Sequence, residues 1–133
     1  MTPADVYNRR AWMREGVERT AQKTGARLAF EDVWLRLRTG SAFAHAIEDD
    51  GKPVGFTVLC SEQDPDGVVL FVWVLWTEPW ALRGSEHEVY AELERVARAI
   101  GGVRIRMQSP RKAWERESFF KTTAVVYERE LRS

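Results

Sequence analysis

The stretch VVLFVWVLW at residues 68–76 contains only apolar side chains. A strand with one face in solvent would place a polar residue at every second position, and this stretch has none. It is also far too short to span a bilayer. We therefore expect it to form the central strand of a sheet whose two faces are both covered.

A helix and a second strand are predicted directly after this stretch. Apolar side chains recur at helical spacing in residues 86–100, at Val89, Leu93, Val96, Ala97 and Ile100. Gly101 is a typical helix terminator, and VRIRM at 103–107 alternates as a strand does. This order predicts two parallel neighbouring strands joined by a right-handed crossover.

Two further helices are predicted at the amino-terminal end. Thr2, Pro3 and Asp5 are typical of a helix start, and apolar residues continue at helical spacing until Gly25. A second apolar stripe ends before Gly40; it comprises Phe30, Val33, Trp34 and Leu37.

The remaining segments predict strands. FAHAI at 43–47 and PVGFTVLC at 53–60 alternate and are joined by the turn EDDGK, and SEQDPDG at 61–67 turns the chain into the central strand. Beyond residue 107, SPRKAWERES predicts a short helix or loop, and FFKTTAVVYEREL predicts one or two final strands. The predicted class is α/β (α+β mixed): one domain over residues 1–133, with a mixed, mostly antiparallel sheet, one parallel pair, and helices on both faces.

Composition and charge say less about function. The chain has 133 residues, zero formal net charge and one cysteine, Cys60, so we expect no disulfide framework and no cysteine-based metal site. No signal sequence or membrane span is predicted. Residues 1–40 carry 8 basic and 5 acidic side chains, residues 41–94 carry 2 and 11, and residues 95–133 carry 10 and 4. These charges either intermix on the folded surface or make a bipolar molecule that docks to its own copies or to a charged partner.

The order of these elements resembles the GNAT superfamily of acetyl-CoA-dependent N-acyltransferases. The resemblance covers Ala4 to Leu131. TPAD opens the first helix as in family members, and EDDGKPVGF is similar to their second hairpin. ARAIGGVRIRM is similar to the end of their long helix and the strand that follows it. AWERESFF is similar to their short helix, which ends in Gly-Phe. Small phage-encoded members are similar in the region RKAWER…YEREL. The resemblance implies a GNAT-like sheet and, for an active member, acetyl-CoA as cofactor.

The family's cofactor loop is altered in this chain. Its pattern is Arg/Gln-x-x-Gly-x-Gly/Ala, whose backbone N–H groups hold the pyrophosphate of the cofactor. With Arg83 on the family arginine, the sequence reads RGSEHE, and Glu86 and Glu88 occupy the glycine positions. Ser85 and Glu88 also form a capping box, which satisfies the first N–H groups of the helix. We expect no cofactor; if acetyl-CoA does bind, the resemblance implies that Arg83, Gly84 and Ser85 hold it.

The family's general acid is altered as well. Many members carry a tyrosine in the pattern Tyr-x-x-x-Gly-Phe, and the resemblance places Trp114 at the tyrosine and Ser118 at the glycine. An indole N–H is no useful general acid near neutral pH. Tyr127 or Tyr90 would have to substitute, although each is also interpretable as a half-buried structural residue. The general base would be a carboxylate such as Glu48 or Glu78.

Other residues offer weaker signals. His45 and His87 lie on different predicted elements and form no metal site or nucleophile signature. Trp73 and Trp76, three apart in a strand, are predicted to point to opposite faces as core residues, and Trp80 and Trp114 are candidate interface residues. A basic group near the carboxyl end of the sheet could bind phosphate, although no nucleic-acid motif accompanies it. The group comprises Arg104, Arg106, Arg111, Lys112 and Arg116.

Three classes of function are compatible with these observations. The favoured one is a GNAT-fold protein with a degenerate acetyl-CoA site that serves as a structural or assembly module, in the host-cell cytoplasm or a phage virion. A helix start near residue 3 leaves no room for the family's extra first strand, so the open sheet edge favours self-association or a protein partner. The alternatives are an N-acetyltransferase with an unusual cofactor loop, and a binder of nucleic acid or another small ligand.

Overall fold

The computed structural model describes residues 9–24, 28–49, 51–78 and 86–107. In chain order, the elements are α1 (Arg10–Thr24), α2 (Phe30–Thr39), β1 (Phe43–Asp49), β2 (Lys52–Asp64), β3 (Gly67–Thr77), α3 (Glu86–Ala99) and β4 (Gly102–Met107). The four strands lie in the order β1-β2-β3-β4. The first two pairings are antiparallel, and β3 pairs with β4 in parallel. The predicted mixed sheet with one parallel pair is therefore confirmed.

The sheet separates two apolar clusters. The α1/α2 cluster joins side chains of both helices, such as Met13 and Val33, to Phe56 and Val74 of the sheet. The α3 cluster packs Leu93 and its neighbours on that helix against the sheet, including Leu59, Leu70 and Val72 of β2 and β3. Because β3 contributes side chains to both clusters and pairs on both sides, it is the central strand that its apolar sequence predicts.

The helices follow their apolar stripes. In α2, Phe30, Val33 and Trp34 are buried, and Gly40 ends the helix with a left-handed φ of 81°, a conformation that glycine adopts without strain. Arg9 lies in a turn and α1 begins at Arg10, so the single helix predicted from about residue 3 to Gly25 is interrupted at Arg9. Residues 1–8, which carry the predicted start signals, lie outside the described part of the chain.

A bulge in β3 overturns the prediction for two tryptophans. Val58 pairs with Val74 and Leu59 pairs with Val72, so Trp73 is an extra residue on the β3 side. Side chains alternate along a regular strand, but an inserted residue reverses the alternation. Trp73 and Trp76 consequently both pack with the α1/α2 cluster instead of pointing to opposite faces.

The hairpin between β2 and β3 is longer than predicted. SEQDPDG was expected to be one turn, but β2 continues to Asp64 and β3 starts at Gly67. The polar residues still pair through their backbones, Glu62 with Val69 for example, while their side chains are exposed. Side-chain polarity therefore misled the prediction. The helix or loop and the final strands predicted within residues 108–133 lie outside the described residues.

Candidate functional site at the carboxyl end of β3

A carboxylate that accepts a hydrogen bond, that of Glu78, lies at the carboxyl end of the central strand β3. Glu78 follows the last residue of β3, and its backbone N–H donates to the carbonyl of Val54 at 2.8 Å. Its side chain, which is half-buried, accepts a hydrogen bond from the indole of Trp12, with 3.4 Å between Nε1 and Oε1. Glu78, predicted as a candidate base, is thus fixed at both its backbone and its side chain.

The indole that holds this carboxylate is itself fixed by aromatic packing. The ring of Trp12 meets Phe56 edge-on at 5.4 Å between centroids, and Trp76 at 5.7 Å. Edge-to-face contacts at these distances are favourable. Glu78 therefore accepts its bond from a donor whose direction is set by the α1/α2 cluster.

A depression opens beside Trp12. It has a volume of about 390 Å³ and is lined by Arg9, Ala11, Trp12 and Pro53. The guanidinium of Arg9 lies over the indole of Trp12, 5.7 Å from the ring centroid. Pro53 precedes Val54, the residue whose carbonyl binds the backbone of Glu78. Glu78 does not line this depression but accepts a hydrogen bond from Trp12, which does. We call the depression together with this carboxylate the Arg9–Glu78 pocket.

Sequence reasoning missed two members of this pocket. It assigned no role to Arg9 or Trp12. The available signal was the spacing of three between them, which places residues of a helical turn on the same side. Their proximity to Glu78 depends on how α1 crosses the sheet, which the sequence does not show.

Most of the predicted cofactor and interface residues lie outside the described residues. Arg83, Gly84, Ser85 and Trp80 fall within 79–85, and Trp114 and Tyr127 fall within 108–133. Their proposed roles stay predictions.

What the structure does describe is the start of the crossover helix. α3 begins at Glu86, and the side chain of Glu88 is exposed in its first turn. A carboxylate in the first turn repels the charge of a phosphate at the helix end where such a group would bind.

The other candidate side chains of the described region do not gather at Glu78. Tyr90 is half-buried against the α3 cluster, which agrees with its structural interpretation. Glu48 is exposed near the end of β1. His45 lies beside Phe43 with 5.8 Å between ring centroids, and burial lowers the pKa of His45.

The basic residues of β4 are neutralised. Arg106 Nη2 lies 2.6 Å from Asp64 Oδ2, and Arg104 Nη1 lies 3.0 Å from the same oxygen. Arg104 also binds Asp66, and Arg106 also binds Glu62 at 3.2 Å. Hydrogen bonds from Arg106 and Arg104 hold the pKa values of Asp64 and Asp66, respectively, below their usual range.

The prediction of a basic group at the carboxyl end of the sheet is wrong for these two residues. Arg104 and Arg106 pair with Val69 and Phe71, in the first half of β3. They meet the acidic hairpin and so have carboxylate partners already. The three other members, Arg111, Lys112 and Arg116, lie outside the described residues.

The described ranges contain neither a metal-binding cluster nor a membrane-spanning helix. No group of three or more His, Cys, Asp and Glu side chains is arranged there to hold a metal ion. No helix of the described residues has the length and apolar character needed to cross a membrane.

Comparison with solved structures identifies the fold. A ribosomal-protein-alanine N-acetyltransferase from Brucella melitensis biovar Abortus 2308 superposes with a TM-score of 0.68 at 16% identity, over 93% of each chain. A GNAT family acetyltransferase from Staphylococcus aureus gives 0.67 at 11% identity, over 98% of this chain and 95% of that one. The chain has the GNAT fold.

A third GNAT-fold neighbour was solved with acetyl-CoA. This predicted acetyltransferase from Clostridium acetobutylicum gives a TM-score of 0.57 at 14% identity, over 75% of this chain and 71% of that chain. No protein-family model matches the sequence. No curated protein matches it significantly either. At these identities, the likeness establishes the fold and leaves the activity to be argued from residues.

Proposed function

We propose that this chain is a GNAT-fold protein that does not transfer acetyl groups and acts as a structural or assembly module. The observation that supports this is the acidic start of α3, where Glu86 opens the helix and Glu88 is exposed in its first turn. A helix amino terminus attracts anions through its dipole and its free N–H groups. Carboxylates in the first turn already supply that negative charge, so a diphosphate gains little there and is repelled.

The ion pairs of β4 bear on the alternative of a phosphate binder, because Arg104 and Arg106 are both bound to carboxylates of the β2–β3 hairpin. The assembly role also draws on the resemblance to small phage-encoded members, which makes a virion the preferred setting. The partner is then another copy of the chain or a second virion protein.

Calorimetric titration with acetyl-CoA tests the loss of the cofactor site. We expect no saturable heat at 1 mM cofactor (about the upper end of ordinary substrate constants). The double variant Glu86→Gln, Glu88→Gln removes both charges, and Glu92→Gln with Glu94→Gln removes two charges farther along α3 as a control. Binding that appears only in the first variant would assign the exclusion to the two carboxylates. Saturable binding to the native chain would contradict the proposal.

The assembly role has its own test. Sedimentation velocity over a hundredfold range of concentration, repeated at low and high salt, should reveal an ordered oligomer. A species that stays monomeric under all these conditions would count against self-association. Co-purification with a particle would then be the remaining support for a module with a different partner.

The second candidate function is an N-acetyltransferase, which the geometry of Glu78 favours. Its carboxylate accepts a hydrogen bond from Trp12 at 3.4 Å, and in this function it would be the base that takes a proton from an amine. Acetyltransferases are also the structural neighbours of the chain. The test is release of free thiol from acetyl-CoA in the presence of a panel of amines. An activity that is lost in Glu78→Gln would support this function and end the non-catalytic proposal.

A further inference from the structure

The Arg9–Glu78 pocket combines groups of opposite charge on one aromatic side chain. Arg9 lies over the face of the Trp12 indole at 5.7 Å, and Glu78 accepts a hydrogen bond from the Nε1 of the same ring. Both charged groups are half-buried. The depression has a volume of about 390 Å³ and is open on its outer side, so it offers room for a small molecule without enclosing it.

Among the residues that the structure describes, Arg9 and Glu78 form no ion pair with each other or with a third group. Within the described ranges, no carboxylate lies within ion-pair distance of Arg9, whereas Arg14, one turn later, binds Glu31 at 3.1 Å. Glu78 has one oxygen engaged by a neutral indole N–H. The second oxygen of its carboxylate can still accept from a charged donor.

These groups define the chemistry of a ligand. A guanidinium binds a carboxylate through paired hydrogen bonds, and a carboxylate binds an ammonium group strongly. Trp12, Ala11 and Pro53 line the depression and offer apolar surface for a side chain. A small zwitterion satisfies all three features at once.

We propose that the Arg9–Glu78 pocket binds a free amino acid, with its carboxylate on Arg9 and its ammonium group directed toward Glu78. This goes beyond the proposed structural role, since it assigns a small-molecule site that needs no acetyl-CoA. Trp12 is its central residue because it contacts both Arg9 and Glu78.

A set of three related ligands tests the two charges separately. Leucine carries both charges, leucinamide lacks the carboxylate, and N-acetyl-leucine lacks the ammonium group. Binding is followed by the indole N–H signals in two-dimensional NMR, with the Trp12 signal assigned by its absence in Trp12→Phe. We expect leucine to bind at millimolar concentration and to move the Trp12 signal. Leucinamide and N-acetyl-leucine should each bind about tenfold more weakly than leucine, the usual loss for one charge-assisted hydrogen bond.

Variants then assign each charge to a residue. Arg9→Gln should weaken the binding of leucine about tenfold and leave the binding of leucinamide unchanged, because leucinamide has no carboxylate to bind the guanidinium. Glu78→Gln should weaken leucine and leave N-acetyl-leucine unchanged. Arg10→Gln is the control, since Arg10 lies over Trp34 at 5.1 Å and lines no part of the pocket. A circular dichroism melt verifies that each variant is folded.

The outcomes separate this inference from the proposed function. Leucine binding with the expected pattern supports the pocket, whether or not acetyl-CoA binds. Equal binding of all three ligands, an unmoved Trp12 signal at 20 mM leucine, or an effect of Arg10→Gln equal to that of Arg9→Gln would overturn it. The absence of acetyl-CoA binding leaves this result untouched, so the two proposals fail independently.

Discussion

Gly16 lies where α1 approaches the sheet closely. A Cβ at this position would lie 2.5 Å from Phe56 Cε1 and 2.8 Å from Trp76 Cε3, well inside normal contact. Phe56 is fully buried, and its ring also packs against Trp12. The absence of a side chain therefore lets the three aromatic rings meet under the helix.

Substitution of Gly16 by alanine tests this close approach. In an exposed helix the change would stabilise by about 1 kcal/mol through helix propensity, but here overpacking should outweigh it and destabilise by about 1–3 kcal/mol. Urea unfolding of Gly16→Ala measures the difference. Gln22→Ala, at an exposed position of the same helix, is the control and should change stability by no more than about 0.5 kcal/mol. A stabilised Gly16→Ala variant would show that the rings can move aside.

At the scale of elements, the bulge in β3 is held by a buried hydroxyl. Thr57 Oγ1 donates to the carbonyl of Val74 at 2.8 Å, next to the inserted residue Trp73. A buried carbonyl that loses its donor costs about 1–3 kcal/mol. Thr57→Val keeps the shape and removes the hydroxyl, so urea unfolding should show a loss of that size. Thr57→Ser retains the donor and should recover most of it; equal losses would assign the effect to packing.

The same strand shows what periodicity can and cannot predict. An unbroken apolar run predicts a buried central strand, and the parallel pairing with β4 follows from the strand-helix-strand order. The bulge at Trp73 cannot be recognised in such a sequence, because the residues before and after it are all apolar and so show no change in the alternation of polar and apolar positions. The faces of Trp73 and Trp76 could therefore not be predicted from their spacing, and neither could the contacts that Trp76 makes with Trp12.

The ion pairs between β4 and the β2–β3 hairpin predict a response to pH. The hydrogen bond from Arg106 lowers the pKa of Asp64 in the folded protein, so the pair stabilises the fold above the unfolded pKa of about 3.9. This contribution is lost as the pH falls through the lower folded value. The stability deficit of Asp64→Asn relative to the native chain should thus be present at pH 7 and shrink below pH 4.

Urea unfolding at a series of pH values measures this difference. Asp49→Asn serves as the control, because Asp49 is exposed on β1 and has no ion pair within the described ranges. High salt should reduce the effect at pH 7, since the pairs lie at the surface, half-buried or exposed, and are partly screened. A deficit for Asp64→Asn that is independent of both pH and salt would mean that the ion pairs do not stabilise the hairpin.

For the whole molecule, the uneven charge along the sequence has a partial explanation in the fold. The acidic middle segment and the basic last segment meet where Arg104 and Arg106 bind Glu62, Asp64 and Asp66. This favours charges that intermix on folding over a molecule with two charged ends. Composition alone could not distinguish these alternatives, because the outcome depends on β4 lying beside β3.

The position of each strand in the sheet predicts how fast its amides exchange with solvent. β3 pairs on both sides and is covered on both faces, so its amides should exchange only through global unfolding. Within the described residues, β1 pairs with β2 alone, and its outward N–H groups should exchange faster. Hydrogen exchange by mass spectrometry, at two protein concentrations, measures both. Protection of β1 that rises with concentration would indicate a second copy on this edge, and protection equal to that of β3 at every concentration would contradict an open edge.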